Sequence, residues 1–433
     1  MRCRPDRSEV EGEPRLRRMT MGLKQRLQDY KLYRLAREIK WTVKKYAKPS
    51  QIERIITLKP AGPSKGDVLL CRINDGFLLK PGEPFPAKIA WEAYQQAMVF
   101  LSLGYAVDVI HFQNREFIPQ KDYALFCDAG WNMERLAPLL GKECVKMAHL
   151  TTAHPLFNNA AELKRLMALQ ERRGVSLPAR RQIWQPLRAI EYADCATVLG
   201  NEFTQNTFLY AGKPLYPVPA ASPVLYPWNE TKDFEACRRR FVWFGGAGMV
   251  HKGLDIVLEA FASMPEYHLT VCGPVEKEPD FVAVYRRELY ETENIRLAGW
   301  TDVSSAKFQE IASSCVGLIH PSCSESGCAA VITCMHAGII PIVSYESSVD
   351  VSPDCGIILR KSSIEEIRDS VRSIAGLPAA TLREMARHTW EFARAEHSPE
   401  RFVKEFTRVV SQVMTARTDS VPAGSALKLQ KSY

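Results

Sequence analysis

From about residue 67 the chain alternates short apolar runs with stretches of helical spacing. Asp67–Ile73, Tyr105–His111, Tyr123–Cys127, Cys144–His149 and Ala196–Leu199 read as buried strands. Between them, Lys88–Leu103 places Ile89, Tyr94, Met98 and Leu101 on one helical face and stops at Gly104. Met133–Leu140, 159–173, 179–192 and Asn201–Ala211 also predict helix. Pro214–Pro227 holds five prolines and reads as an irregular connection between halves. The alternation then resumes. Strands are predicted at Phe241–Phe244, His268–Val271, Ile295–Ala298, Val316–Ile319 and Ile339–Val343, with helices over 252–264, 278–290, 304–313 and 327–337.

Alternating strands and helices predict parallel sheets with right-handed crossovers, here an α/β fold of two doubly wound, Rossmann-like domains facing a cleft. Ligands of such sheets bind beyond the carboxyl ends of the strands, so the cleft is the expected site. With 433 residues and 46% apolar composition, the chain can bury a large core. The expected division is a basic, partly helical extension over 1–50, a first domain over 51–225 and a second over 226–395. No apolar run approaches the length of a membrane span, and no secretory signal is visible at the start. The 12 cysteines form no C-x-x-C pair, which fits reduced thiols and a cytoplasmic location. The cluster Cys323, Cys328, Cys334 fits no zinc spacing, so no metal site is expected.

The formal charge of +8 is not spread evenly, because residues 1–50 hold 15 Lys+Arg against 6 Asp+Glu. A nearly neutral body excludes nucleic acid as a partner, since phosphate contacts need basic residues on the fold itself. Within 22–48, apolar and aromatic residues intersperse with Lys and Arg. Such a segment suits a basic amphipathic helix on the anionic inner face of the cytoplasmic membrane, or equally a solvated helix packed on the body.

Candidate chemistry sits at two strand ends. Phe241-Val-Trp-Phe-Gly-Gly-Ala-Gly-Met-Val-His-Lys-Gly-Leu-Asp255 runs from a strand through glycines into a helix. Gly246 and Gly248 would let backbone N–H groups approach an anion, and Lys252 at the helix start would meet a diphosphate. The segment fails as a dinucleotide fingerprint because His251 stands where the third glycine belongs, and it lacks the Walker A spacing. A tight βα turn with a surface lysine is the plainer alternative. The second is His320-Pro-Ser-Cys-Ser-Glu-Ser-Gly-Cys328, where Glu325 could accept bonds from sugar hydroxyls. The N–H groups of Ser326, Gly327 and Cys328 could receive phosphate oxygens. An acidic residue that merely balances a helix dipole is the alternative there.

Lys252-Gly-Leu-Asp255, Cys272-Gly-Pro274, Ala298-Gly-Trp300, Glu325-Ser-Gly327 and Met335-His-Ala-Gly338 stand in an order and spacing that resembles a glycosyltransferase carboxyl-terminal domain. The family is the retaining, nucleotide-sugar-dependent family four of GT-B fold, which includes bacterial cell-surface polysaccharide enzymes. The likeness covers about 241–410 well and 67–225 more loosely. It implies transfer of a sugar with retention from a nucleotide sugar to a glycan or lipid-linked glycan, without metal or other cofactor. It also implies that Glu325 lies by the donor sugar, Lys252 and the glycine loops (Gly273 included) by the diphosphate, and Trp300 by the base. By position His149 is the histidine that touches the donor sugar, with His154 a possible second; the 74–88 loop and the segment after His154 would build the acceptor side. Pro399–Val413, within 396–415, resembles the family's last helix, which returns to the first domain, and 416–433 reads as a flexible tail. Two departures stand out: Ala247 occupies the place of a usual arginine, and Thr333 that of a second glutamate for the ribose. They imply a weakened, altered or non-catalytic donor site. A sugar-nucleotide epimerase of the same fold remains a further alternative.

Overall fold

The computed structural model describes residues 51–80, 83, 85, 87–184 and 188–420. The chain divides into two compact units, 1–54 and 55–433. Of the first only 51–54 are described, so the expected basic extension and its segment 22–48 lie outside the described residues, as does 421–433.

The second unit holds two sheets. The first contains β1 (Ile56–Leu58), β2 (Asp67–Arg72), β3 (Ala106–His111), β4 (Leu125–Asp128), β5 (Val145–Leu150), β6 (Cys195–Leu199) and β7 (Leu215–Val218), in the order β1-β3-β2-β4-β5-β6-β7. All pairs are parallel except the antiparallel β1–β3 edge. The second sheet contains β8 (Arg240–Phe244), β9 (His268–Cys272), β10 (Ile295–Gly299), β11 (Gly317–His320), β12 (Ile340–Ser344) and β13 (Ile357–Leu359). Its order is β10-β9-β8-β11-β12-β13, all parallel. The direction of winding therefore reverses between β2 and β4 in one sheet and between β8 and β11 in the other. At such a switch point the flanking loops diverge and leave a crevice.

Helix α1 (Lys88–Ser102) covers the first sheet, and α2 (Pro155–Arg173) follows β5. Pro155 opens α2 at a position where its missing N–H costs nothing, and Gly174 at φ 68° closes it. Around the second sheet lie α3 (Leu254–Ala262), α4 (Ala306–Ser314), α5 (Ala329–His336), α6 (Ile364–Gly376) and α7 (Ala379–Glu396). The last helix, α8 (Pro399–Ser420), leaves that layer and packs on the first sheet's core. Its Phe402 meets Trp91 of α1 at 5.6 Å between ring centroids, and its Phe406 meets Phe100 edge-on at 5.8 Å. Among the described residues no helix is long and apolar enough to cross a membrane.

Several elements differ from expectation. The stretch 179–184 is irregular rather than helical, because side chains of α2 satisfy its backbone. Glu162 accepts the N–H groups of Arg180 and Arg181 (2.9 and 2.8 Å), and Asn158 and Asn159 donate to the carbonyls of Arg181 and Ile183. Among the described residues there, Ala189–Tyr192 forms the one helical turn. The proline-rich connection contains strand β7, which its edge position permits: Pro217 has no N–H to offer an outer neighbour. The helix expected over 278–290 is two, Pro279–Val284 and Arg286–Tyr290, broken at Tyr285. The expected tail overlaps α8, which runs on to Ser420.

Candidate functional site

The carboxyl ends of both sheets meet. Ser326 Oγ donates to Leu199 O at the end of β6 (2.6 Å), and Asn201 N donates to Ser348 Oγ (3.0 Å). Asn201 Nδ2 also reaches Asp350 (2.8 Å), and Thr204 and Ser348 share a hydroxyl bond of 2.6 Å. Two glycines make this approach possible. A Cβ on Gly327 would lie 2.4 Å from Ala220 Cβ, and one on Gly200 would lie 2.3 Å from Ser348 Oγ.

At the β8–β11 switch point the glycine loop turns into α3. Gly253 at φ 72° caps that helix, and Trp243 Nε1 donates to Lys252 O (3.2 Å), fixing the backbone under the lysine. Gly273 is required by its neighbour, since a Cβ there would sit 2.6 Å from Gly245 O. The Lys252 ammonium crosses the switch point and pairs with Glu325 Oε1, which also accepts from Ser322 Oγ (3.2 Å). Burial pushes the Glu325 carboxyl up, but Lys252, with His251 and His320 beside it, outweighs this and holds it at about 2. His320 is driven to about 3 by burial and by Lys252, and stays neutral. Its Nδ1 bonds Phe244 O (3.1 Å) and its Nε2 lies 3.3 Å from Cys328 Sγ.

The backbone N–H groups read from the sequence as anion receivers are partly taken. Gly248 N donates to Glu278 Oε1 (2.6 Å) and Met249 N to its Oε2 (3.3 Å), so an internal carboxylate holds this part of the loop. Arg181 lies over Gly248, where a Cβ would be 2.6 Å from its Cγ. Gly246, by contrast, faces open space. In the second loop Cys328 N donates to Ser347 O (3.1 Å) and Glu325 N to Glu346 O (2.8 Å). Cys328 therefore has no N–H to spare, a correction to the expected trio, and the Ser326 hydroxyl is turned to the first sheet.

The remaining expected residues are dispersed. His149 is wholly buried at the end of β5, its Nδ1 bonded to Thr197 Oγ1 (2.7 Å) and its Nε2 to Glu92 Oε1 (2.9 Å). Burial lowers its pKa despite Glu92. Glu92 in turn pairs with Arg72 (2.5 Å), and neither ring nitrogen of His149 is left to face a ligand. His154 caps α2, accepting Leu156 N at Nδ1 (3.2 Å), and its Nε2 lies 3.3 Å from Tyr210 Oη. Trp300 directly follows β10 and is 69% exposed, so it is not a core residue. Thr333 is nearly buried in the second turn of α5.

Sequence reasoning missed two participants. Lys88, the first residue of α1, lies among Glu92, Cys328 and Glu325: burial lowers its pKa while these groups pull the other way. A cation at a helix start opposes the dipole, and that was the available signal. Glu278 gave none, since nothing in the chain links it to a loop 30 residues earlier. The Cys323–Cys328–Cys334 cluster does not assemble as a ligand set; only Cys328 joins His320 and Glu325, their ligand atoms lying within 4.8 Å of one another.

No protein-family model matches the chain, and no curated protein matches it. Solved structures do. Sucrose-phosphate synthase from Thermosynechococcus elongatus aligns at TM-score 0.57 and 13% identity over 81% of this chain and 100% of that one. WaaG, a glycosyltransferase involved in lipopolysaccharide biosynthesis, aligns at 0.50 and 13%, over 81% and 99%. Anabaena HepE in complex with UDP and glucose aligns at 0.50 and 11%, over 81% and 99%. Of the longer TarM from S. aureus the chain spans about half, 55% of its length, at TM-score 0.45. At these identities the likeness establishes the fold, which is GT-B.

Proposed function

We propose that the protein is a glycosyltransferase that moves a sugar, with retention, from a nucleotide sugar to a glycan or lipid-linked glycan. The observation that carries this reading is the Lys252–Glu325 pair across the β8–β11 switch point, facing the carboxyl end of the other sheet. In the reaction the acceptor hydroxyl attacks the anomeric carbon on the face from which the diphosphate departs, and its proton passes to the departing phosphate oxygen, so that the nucleoside diphosphate leaves. The new glycosidic bond forms as the sugar–phosphate bond breaks. Lys252 takes up the charge that develops on the diphosphate, where preorganised donors contribute most. Glu325, ionised and held in place, accepts hydroxyls of the donor sugar. Trp300 offers an exposed ring for the base, and Thr333 a hydroxyl for the ribose. His149 touches no substrate in this reading and acts by holding Glu92, whose charge favours the ammonium form of Lys88. The reading needs no metal or other cofactor for transfer. It extends, on the basic segment 22–48 and on WaaG's involvement in lipopolysaccharide biosynthesis, to cell-surface polysaccharide synthesis at the cytoplasmic face of the membrane.

A second reading has its own support. The carboxylate of Glu278 on the glycine loop, with Ala247 and Thr333, favours a non-catalytic nucleotide-sugar-binding subunit. Calorimetry against UDP-, GDP-, ADP- and dTDP-sugars, with Lys252→Ala alongside, tests the first and separates the two. Binding of one donor that is lost in the variant supports the site, and turnover with a glycan acceptor supports transfer. Binding without turnover, including hydrolysis, favours the subunit. No binding across the panel overturns both.

A further inference from the structure

His320, Cys328 and Glu325 converge beside the glycine loop from two directions: His320 ends β11, and Cys328 precedes the first turn of α5. Three features make this more than proximity. First, the His320 Nδ1 bond to the Phe244 carbonyl requires the proton on Nδ1, which leaves the Nε2 lone pair aimed at Cys328 Sγ. A backbone carbonyl behind the imidazole is the usual way a metal-binding histidine is oriented. Second, the Nε2–Sγ distance is 3.3 Å, close to the separation of about 3.5 Å that tetrahedral zinc imposes on a sulfur and a nitrogen ligand. Third, Glu325 uses one oxygen, Oε1, for both Lys252 and Ser322.

We propose that His320 Nε2, Cys328 Sγ and Glu325 bind one thiophilic divalent cation of the zinc type, with water as fourth ligand, and that this cation competes with a donor sugar for Glu325. The thiol gives up its proton as the metal–sulfur bond forms, so the step releases one proton and involves no oxidant or reductant. Softness selects the ion: a Cys–His–carboxylate set favours zinc or cobalt over magnesium or calcium. Occupancy places a cation beside Lys252 and commits Glu325, so the group proposed to hold donor hydroxyls is withdrawn. The competition, unlike the metal site itself, rests on the proposed role of Glu325 toward the donor sugar.

The test uses the full chain with Co2+ as the probe, and does not depend on the sugar chemistry. Co2+ should bind with a stoichiometry of one and show thiolate-to-cobalt charge transfer and intense tetrahedral d–d bands, both bleached by Zn2+. Cys328→Ser should abolish the charge-transfer band and His320→Gln should weaken affinity at least tenfold, whereas Cys334→Ser should change neither. X-ray absorption of the zinc-loaded wild-type chain, which relies on no variant, should report one sulfur among otherwise nitrogen and oxygen neighbours. Absence of cobalt binding, octahedral bands without charge transfer, or no sulfur neighbour overturns the proposal. Zinc should also weaken binding of the nucleotide sugar that the wild type takes, relative to the bare nucleotide diphosphate, and leave that ratio unchanged in Cys328→Ser; an equal change in both proteins, or none in either, overturns the competition.

Discussion

Replacing Glu92 by glutamine should expose how the first sheet supports the cleft. The carboxylate is 3% exposed, pairs with Arg72 at 2.5 Å and accepts from His149 at 2.9 Å. Burial opposes its charge, yet Arg72 and His149 prevail and hold its pKa at about 2 against 4.5 for an ordinary glutamate. By linkage that difference stabilises the fold by roughly 3 kcal/mol at neutral pH. Removing one partner of a buried pair independently costs about 3–5 kcal/mol, because Arg72 is left buried and uncompensated. The sign with pH follows from the depressed value. The contribution is complete above the unfolded pKa and declines as pH falls toward the folded one, to roughly 2 kcal/mol at pH 3.5. Urea unfolding of wild type and Glu92→Gln, followed by circular dichroism at both pH values, measures the gap and its closing. Replacing both partners, Arg72→Met with Glu92→Leu, should recover most of the loss, since no unpaired charge remains. A gap under about 1 kcal/mol at pH 7, or one that does not narrow with acid, would refute the reasoning.

Glu278→Gln removes the negative charge from the Gly248–Met249 N–H groups, so UDP binding measured by calorimetry should tighten by about tenfold; unchanged affinity would mean that loop never meets the diphosphate. Buried His336 and His397, both held at about 4 chiefly by burial, take up protons only on unfolding. Each should cost about 2 kcal/mol of stability by pH 5, so the urea midpoint should drop between pH 7 and 5. Trp300→Ala should leave stability within about 0.5 kcal/mol, since the ring is exposed, while weakening nucleotide binding in calorimetry; unchanged affinity would remove Trp300 from the base site. Gly327→Ala, at φ 61° and against Ala220, should cost at least about 1–3 kcal/mol by thermal unfolding and loosen the junction between sheets.

Much of the fold was written locally. A buried parallel strand such as Val68–Cys71 must be apolar on both faces, and helices end at glycines such as Gly104 and Gly174, so element type and order are visible in the chain alone. The glycine loop, Lys252 and Glu325 could be singled out as candidates in the same way, because small residues and a cation at fixed spacing are what an anion-receiving turn would need. What local pattern cannot encode is which distant group satisfies a given polar atom. The segment 179–184 looked helical until Glu162 and Asn159 claimed its backbone, and Pro217 looked incompatible with a strand until the sheet gave it an edge. His149 carried the signature of a cleft histidine, yet Thr197 and Glu92, 48 and 57 residues away, turn both its nitrogens inward. Lys88, Glu278 and the His320–Cys328–Glu325 cluster likewise exist only once the sheets close. Chain order determined the scaffold and the two loops that meet at its switch point. Desolvation and long-range hydrogen bonding, which depend on the whole fold, decided which of their groups are occupied and which remain open to a ligand.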